Sequence, residues 1–218
     1  MSTITPTQPI ASPATPSIVP SYRMTADEFD RVSEGLDKPA ELIDGQLVER
    51  PDMNPEHAVV TELLRQFLDA ILKGKSWYAR EEKPVRADEY NERLPDISVV
   101  PGTPRDYVKQ HPKPGIAALL VEVSWSTLTY DRGEKRDLYA AQDVPVYWII
   151  DVKARKVEVY TGPGADGYSA CVTYKPGESA PVVIDGVEVG RIAVTDILPS
   201  HEPPADGNVQ GVRSGKRF

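Results

Sequence analysis

The chain has 218 residues and a formal charge of −8, from 25 basic and 33 acidic side chains. With 40% hydrophobic residues the composition is globular, and the length suits one domain with a core, or at most two small ones. No uncharged apolar run reaches the roughly 18–20 residues that cross a bilayer, residues 1–20 lack the pattern of a secretory signal, and Cys171, the only cysteine, excludes an intramolecular disulfide. A cytoplasmic protein with no membrane partner is expected.

Residues 1–22, with Pro6, Pro9, Pro13, Pro16 and Pro20 among Ser and Thr, read as a disordered arm. Residues 200–218, rich in Pro and Gly with a weakly basic end, read as a tail. The folded domain is expected over 23–199. Thr25-Ala-Asp-Glu28 is a capping box and predicts a short helix to about Glu34. Asp44-Gly45 between apolar flanks predicts a hairpin over Glu41–Val48. Asn54-Pro55-Glu56 supplies a cap, a first-turn proline and a first-turn acid. The stripe of Val60, Leu63, Leu64, Phe67 and Ile71 then predicts one helix from Pro55 to Leu72.

From Ser76 the pattern is extended, in one segment through Arg86 and another over Asp96–Val100. Ile116–Val123 is nearly all apolar, as in a central strand covered on both faces. Asp131–Gln142 reads as a helix and Val144–Asp151 as a second buried strand, so a parallel βαβ unit is expected. Lys156–Tyr160 alternates like a sheet edge. Short strands with turns at Pro176-Gly177 and Asp185-Gly186 fill 168–198, with Cys171 packed in one of them. The fold class is α/β (α+β), a mixed central sheet flanked by helices.

Glu122 is the only charge in the run Ala117–Val123, and an ionised carboxylate in a buried strand is costly unless paired or ligated. Two readings are open. It pairs with an arginine such as Arg86 or Arg132, or it ligates a divalent metal. Asp96, in the Pro-Asp that opens the preceding apolar strand, is either an ordinary turn residue or a second carboxylate at the same end of the sheet, where a hard cation relieves their repulsion. Lys135 shares a helix face with Leu138, Tyr139 and Gln142, so it is either a snorkelling or Asp131-paired lysine, or an ammonium beside the carboxylates. Glu41, before the hairpin, and His57, on the first turn of the long helix, are weaker candidates. His111 and His201 sit beside prolines in loops. No phosphate-cradling glycine loop, Gly-x-Ser-x-Gly elbow or His-Glu-x-x-His is present.

Several segments occur in a telling order: Glu41–Val48, Met53–His57, Pro95–Val100, Leu120–Ser124, Ser126-Thr127, Asp131–Lys135, Tyr139 and Val144–Asp151. Together they resemble the Uma-two-type restriction-endonuclease family of bacteria, within the PD-(D/E)XK nuclease superfamily. The resemblance covers about residues 23–199. It implies a restriction-endonuclease-like core and hydrolysis of phosphodiester bonds, in DNA, with Mg²⁺ (or Mn²⁺). It carries the metal-binding acids onto Asp96 and Glu122, with the backbone carbonyl of Val123, and the N-terminal acid onto Glu41. The lysine usually found two positions after the glutamate is Ser124 here, and the family's helix lysine matches Lys135. His57 matches a motif histidine. Trp125 stands where a small or acidic residue is common, and either narrows access or stacks on a base. Val146 replaces a frequent glutamate.

The acidic net charge argues against broad electrostatic attraction to nucleic acid, though a metal-dependent nuclease reaches phosphates through its ions. The expected function is therefore a metal-dependent endonuclease with nucleic acid as partner, acting as a homodimer if it cuts both strands. The alternatives are a catalytically silent module of the same fold and a hydrolase of another phosphoester.

Overall fold

The computed structural model describes residues 22–199. The expected tail with His201, and all of the arm but Tyr22, lie outside the described residues. Helix α1 (Ala26–Ser33) starts at Thr25, whose hydroxyl accepts from the Glu28 amide while Glu28 accepts from the Thr25 amide. It packs Ala26 and Phe29 on Leu42 of a small sheet with strand order β2-β1-β5-β4. That sheet comprises β1 (Ala40–Ile43), β2 (Gln46–Glu49), β4 (Val85–Asp88) and β5 (Asn91–Arg93). Asp44 (φ 49°) and Gly45 (φ 77°) close the β1–β2 hairpin in left-handed backbone. A Cβ on Gly45 would also stand 2.7 Å from Cβ of Arg23, so only glycine fits.

The central sheet has six strands in the order β10-β9-β8-β7-β6-β3. These are β3 (Trp77–Glu81), β6 (Ile97–Pro101), β7 (Leu119–Ser124), β8 (Val146–Asp151), β9 (Lys156–Thr161) and β10 (Ala170–Tyr174). All neighbours are antiparallel except β7 and β8, which run parallel in the register Glu122↔Ile149. A parallel pair needs a crossover. Here it is α3 (Leu128–Tyr130), a π-helical turn Asp131–Lys135, and α4 (Arg136–Ala141).

Helix α2 (Pro55–Leu72) covers one face of this sheet. Its stripe of Val60, Leu64, Leu68 and Leu72 meets Leu119, Val121, Val123, Trp148 and Ile150. Burial of each leucine contributes roughly 1.5–3 kcal/mol. The hairpin β11 (Ser179–Ile184) and β12 (Val187–Ala193) and the short α5 (Val194–Ile197) complete that layer. On the opposite face Leu120, Tyr147 and Ile149 pack on Tyr139 of the crossover. The mixed sheet flanked by helices is the fold class expected from the sequence. Among the described residues no helix is long and apolar enough to cross a membrane.

Four local expectations are corrected. The segment from Ser76 through Arg86 is two strands in different sheets. The chain breaks at Glu82 (φ 45°) and at Pro84, which has no amide to continue a ladder. The crossover begins at Leu128 rather than Asp131 and contains a π-turn. Strand β9 is not an edge, because β10 pairs along its length. Cys171 is exposed on β10 instead of packed.

Candidate active site

Strands β6 and β7 pair as Ile97↔Val121, so extending the register by one residue sets Asp96 opposite Glu122. Residues facing each other across antiparallel strands have Cβ atoms about 4.5–5.5 Å apart. Asp96 is fixed at that point by the Val123 amide, which donates to Oδ2 at 2.6 Å. His57 Nε2 lies 3.1 Å from the same oxygen. The histidine reaches it because it shares the inward stripe of α2 with Val60, Thr61 and Leu64, in the first turn of the helix. The other oxygen, Oδ1, receives Nη2 of Arg50 at 2.6 Å, and Nη1 of that guanidinium lies 3.4 Å from Glu82.

Glu122 meets the crossover. Lys135 Nζ is 2.9 Å from its Oε2, and the Tyr139 hydroxyl donates to Oε1 at 3.0 Å. The same ammonium lies 3.2 Å from Glu41 and 3.8 Å from Asp131. Glu41 also accepts the amide of Leu94, the residue after β5, at 3.1 Å. Asp131 Oδ2 accepts from Ser124 and Thr127, both at 2.6 Å, and its backbone carbonyl accepts from Tyr147 at 3.1 Å. The π-turn places Asp131 and Lys135 on the inner side together, the kind of distortion that helices carry at functional sites.

The electrostatics are lopsided. The buried carboxylates of Glu41, Asp96, Glu122 and Asp131 face Arg50, Lys135 and the nearby Arg93, which leaves one negative charge in excess if His57 is neutral, and Glu82 adds a second at the partly exposed rim. Burial raises the Asp96 carboxyl, but His57 and Arg50 outweigh it and hold its pKa at about 2. Glu122 goes the other way. Burial, reinforced by Asp96, Asp131 and Glu41, outweighs Lys135 and pushes it above the ordinary carboxylate range. Lys135 is raised despite its burial, because Glu122, Glu41, Asp131 and Asp96 surround it. Among the described residues, buried side-chain polar atoms without a partner include His57 Nδ1, Arg93 Nε, Tyr130 Oη and Asp131 Oδ1, all from residues in or beside this cluster. The remaining two, on Ser98 and Trp148, belong to the strands of the central sheet.

Residues 26–194 match the family described as "Putative restriction endonuclease", Uma2. This chain belongs to the Uma2 family. No curated protein matches it. Among the matching solved structures is a crystal structure described as a "putative nuclease belonging to DUF820" from Anabaena variabilis. The two are 18% identical with a TM-score of 0.61, over 80% of this chain and 97% of the other, a likeness of fold.

In this Uma2 chain the structure brings Glu41, His57, Asp96, Glu122 and Lys135 into one buried cluster from five separate elements or their flanks. The residue beside Glu122 is neither Arg86 nor Arg132. Arg86 is taken by Asp27, Asp30 and Glu92, and Arg132 by Glu158 and Asp151. Ser124 donates to Asp131 and not to Glu122. Trp125 is half-buried against the α2 layer, with the Lys153 ammonium 4.9 Å from its ring centre, so one ring face is already covered.

Sequence reasoning missed Arg50, although a signal existed. The Asp44-Gly45 turn pairs Glu41 with Val48, and alternation then puts Arg50 on the same face as Glu41. The hydroxyl contact of Tyr139 was equally legible as the position four after Lys135. The geometry also differs from open acids awaiting an ion, since Asp96 and Glu122 each hold an organic cation. Among the described residues, the one set of three metal-ligating side chains with ligand atoms all within 4.8 Å is Asp30, Glu92 and His111. Arg86 bridges the first two, so that set is an ion-pair network joining α1 to β4 and β5.

Proposed function

We propose that the chain is a divalent-metal-dependent endonuclease that hydrolyses phosphodiester bonds in DNA, within the PD-(D/E)XK superfamily, and acts in the cytoplasm. Asp96 and Glu122, with the backbone carbonyl of Val123, would hold Mg²⁺ or Mn²⁺, and Glu41 would ligate directly or through water. The observation that carries this reading is the excess of buried carboxylates over cations in one cluster, together with its partnerless polar atoms. Oxygen donors of this kind suit a hard cation, and buried charge of one sign calls for a counter-ion or a proton. An ion held there by Asp96 and Glu122 would supply acidity to a nearby water and positive charge opposite the phosphate.

The chain's own residues do the rest. Lys135 holds a proton firmly between Glu122 and Glu41, and its ammonium orients the attacking water. Tyr139 and Ser124 fix the rotamers of Glu122 and, through Asp131, of the π-turn. His57 steadies Asp96 from the α2 side. The test is cleavage of plasmid and single-stranded DNA by purified protein with Mg²⁺ or Mn²⁺. Glu122→Gln and Asp96→Asn should lower the rate by about 10²–10⁴-fold. Variants that cut as fast as wild type would refute the assignment.

A second reading is a catalytically silent binding module of the same fold. It is favoured by Arg50 and Lys135, which already neutralise Asp96 and Glu122, and by the net charge of −8. Calorimetry separates the two, because a silent module gives no Mn²⁺ heat that depends on Glu122. A substrate panel would identify a different phosphoester, and the oligomeric state in solution would test the homodimer.

A further inference from the structure

We propose that Arg50 is the residue that receives the substrate phosphate, and that it rests on Asp96 until a divalent ion takes that carboxylate. This inference builds on the metal-dependent reading above.

Exposure sets the direction of approach. Side chains of Asp131, Glu122 and Asp96 are 1–2% exposed, and Lys135 is 5% exposed. His57 follows at 10%, Arg50 at 16% and Glu82 at 32%. The cluster therefore opens to solvent on the side of Arg50 and Glu82, and Arg50 is the most exposed of its cations, with Glu82 at the rim. The Arg50 amide is anchored to the Pro39 carbonyl at 2.8 Å, so the fork can turn without moving the strand.

The contacts of the fork are unequal. Nη2 holds Asp96 Oδ1 at 2.6 Å, whereas Nη1 reaches Glu82 only at 3.4 Å. Oδ2 is occupied by His57 and the Val123 amide, so Oδ1 is the oxygen a cation would take, and Arg50 already covers it. A divalent ion on that oxygen would repel the guanidinium and leave it with only the long contact to Glu82. The arriving phosphate supplies a counter-ion, with two oxygens that match the planar fork. In a chain of charge −8 this places local positive charge where a nucleic-acid backbone must approach. Metal and DNA then favour each other through Arg50, and the coupling is reciprocal.

The experiment uses the full chain, with Mn²⁺ titrated by calorimetry and a short DNA duplex followed by fluorescence anisotropy with and without Ca²⁺. In the wild type, Ca²⁺ should tighten DNA binding about tenfold. Arg50→Gln should bind Mn²⁺ about tenfold more tightly, and its DNA affinity should stop responding to the metal. Arg50→Lys keeps the charge but not the fork, so its Mn²⁺ affinity should stay near wild type while the coupling falls. Glu82→Gln removes the outer partner of the fork and should weaken Mn²⁺ binding, which keeps the test decisive if Arg50→Gln does not fold. If Arg50→Gln binds Mn²⁺ no more tightly, or Glu82→Gln binds it more tightly, while Glu122→Gln abolishes the heat, the role of Arg50 is overturned and the metal reading stands. If no variant gives a heat that depends on Glu122, both fall.

Discussion

One π-turn feeds two ionic clusters of opposite character. From Asp131–Lys135, Arg132 turns outward to Glu158 and Asp151 on β9 and β8, while Lys135 turns inward to Glu122 and Glu41. In the outer cluster two carboxylates face two cations, Arg132 and Lys156, and every carboxylate oxygen has a partner, counting Tyr160 and the Ala154 amide. In the inner cluster acids outnumber cations and polar atoms are left over. The contrast separates a fastening from a site. A balanced network is complete by itself, whereas an acidic surplus inside a protein is stable only with a proton or another cation.

The largest effect that would sharpen this contrast comes from removing the inner ammonium. Lys135→Met should destabilise the protein by roughly 3–5 kcal/mol, because it strands Glu122, Glu41 and Asp131 without their shared cation. Chemical denaturation measures this directly. A loss below about 1 kcal/mol would mean that the buried acids are not ionised together. Next in size is the response to metal. At about a hundred times its dissociation constant, Mn²⁺ should stabilise the wild type by about 2.7 kcal/mol, a rise in melting temperature of roughly 5–10 °C. Glu122→Gln should lose that rise, and Arg132→Met should keep it.

The two clusters should also respond to pH with opposite signs. Arg132, Lys156 and Tyr160 outweigh burial and lower Glu158 from 4.5 to about 2, so below 4.5 the unfolded chain binds more protons than the native one. The stability from this group is present above pH 4.5 and lost as the pH falls towards 2. Burial raises Glu122 above 4.5, so the native chain keeps a proton that the unfolded chain has released, and stability declines as pH rises above that point. Urea unfolding from pH 3 to 8 should show a flatter acid limb in Glu158→Gln and a flatter neutral limb in Glu122→Gln. Matching curves for the two variants would remove the distinction.

The smallest effects are expected at the fastening and at the hydrogen bonds around Asp131. The Arg132 side chain is 36% exposed, and solvent screening limits its loss to about 1 kcal/mol in Arg132→Met. Ser124→Ala removes one hydrogen bond to Asp131 while Thr127 keeps the same oxygen, and should likewise lower stability by about 1 kcal/mol with the melt still cooperative. A loss of several kcal/mol from Arg132→Met would show that the outer contacts also brace the inner cluster.

Much of the architecture was legible because its signals are local. The Thr25 capping box, the Asn54-Pro55 start and the Asp44-Gly45 and Asp185-Gly186 turns act over a few residues, and each sits where its chemistry requires. The apolar run before Ser124 and the strand after it were readable as a parallel pair, since a helix-length segment separates them. The break at Glu82 was harder, because a left-handed glutamate carries no sequence signal as clear as a glycine. The π-turn was not legible either. Gly133 hints at it, but Asp131 is held by contacts with Ser124, Thr127 and Tyr147, residues of two neighbouring strands and a turn.

The sequence alone determined where elements start and stop and which acids lie in apolar strands, since caps, turns and hydrophobic periods are settled between near neighbours. Only the tertiary structure decided which cation each acid meets. Arg50 and Asp96, on the flanks of two different sheets, are 46 residues apart, and Glu41 and Leu94 are 53 apart. Charge pairing at such separations depends on how the sheets dock and which side chains share the buried space. A guanidinium on Asp96 and an ammonium between Glu41 and Glu122 are consequences of packing, invisible until the chain is folded.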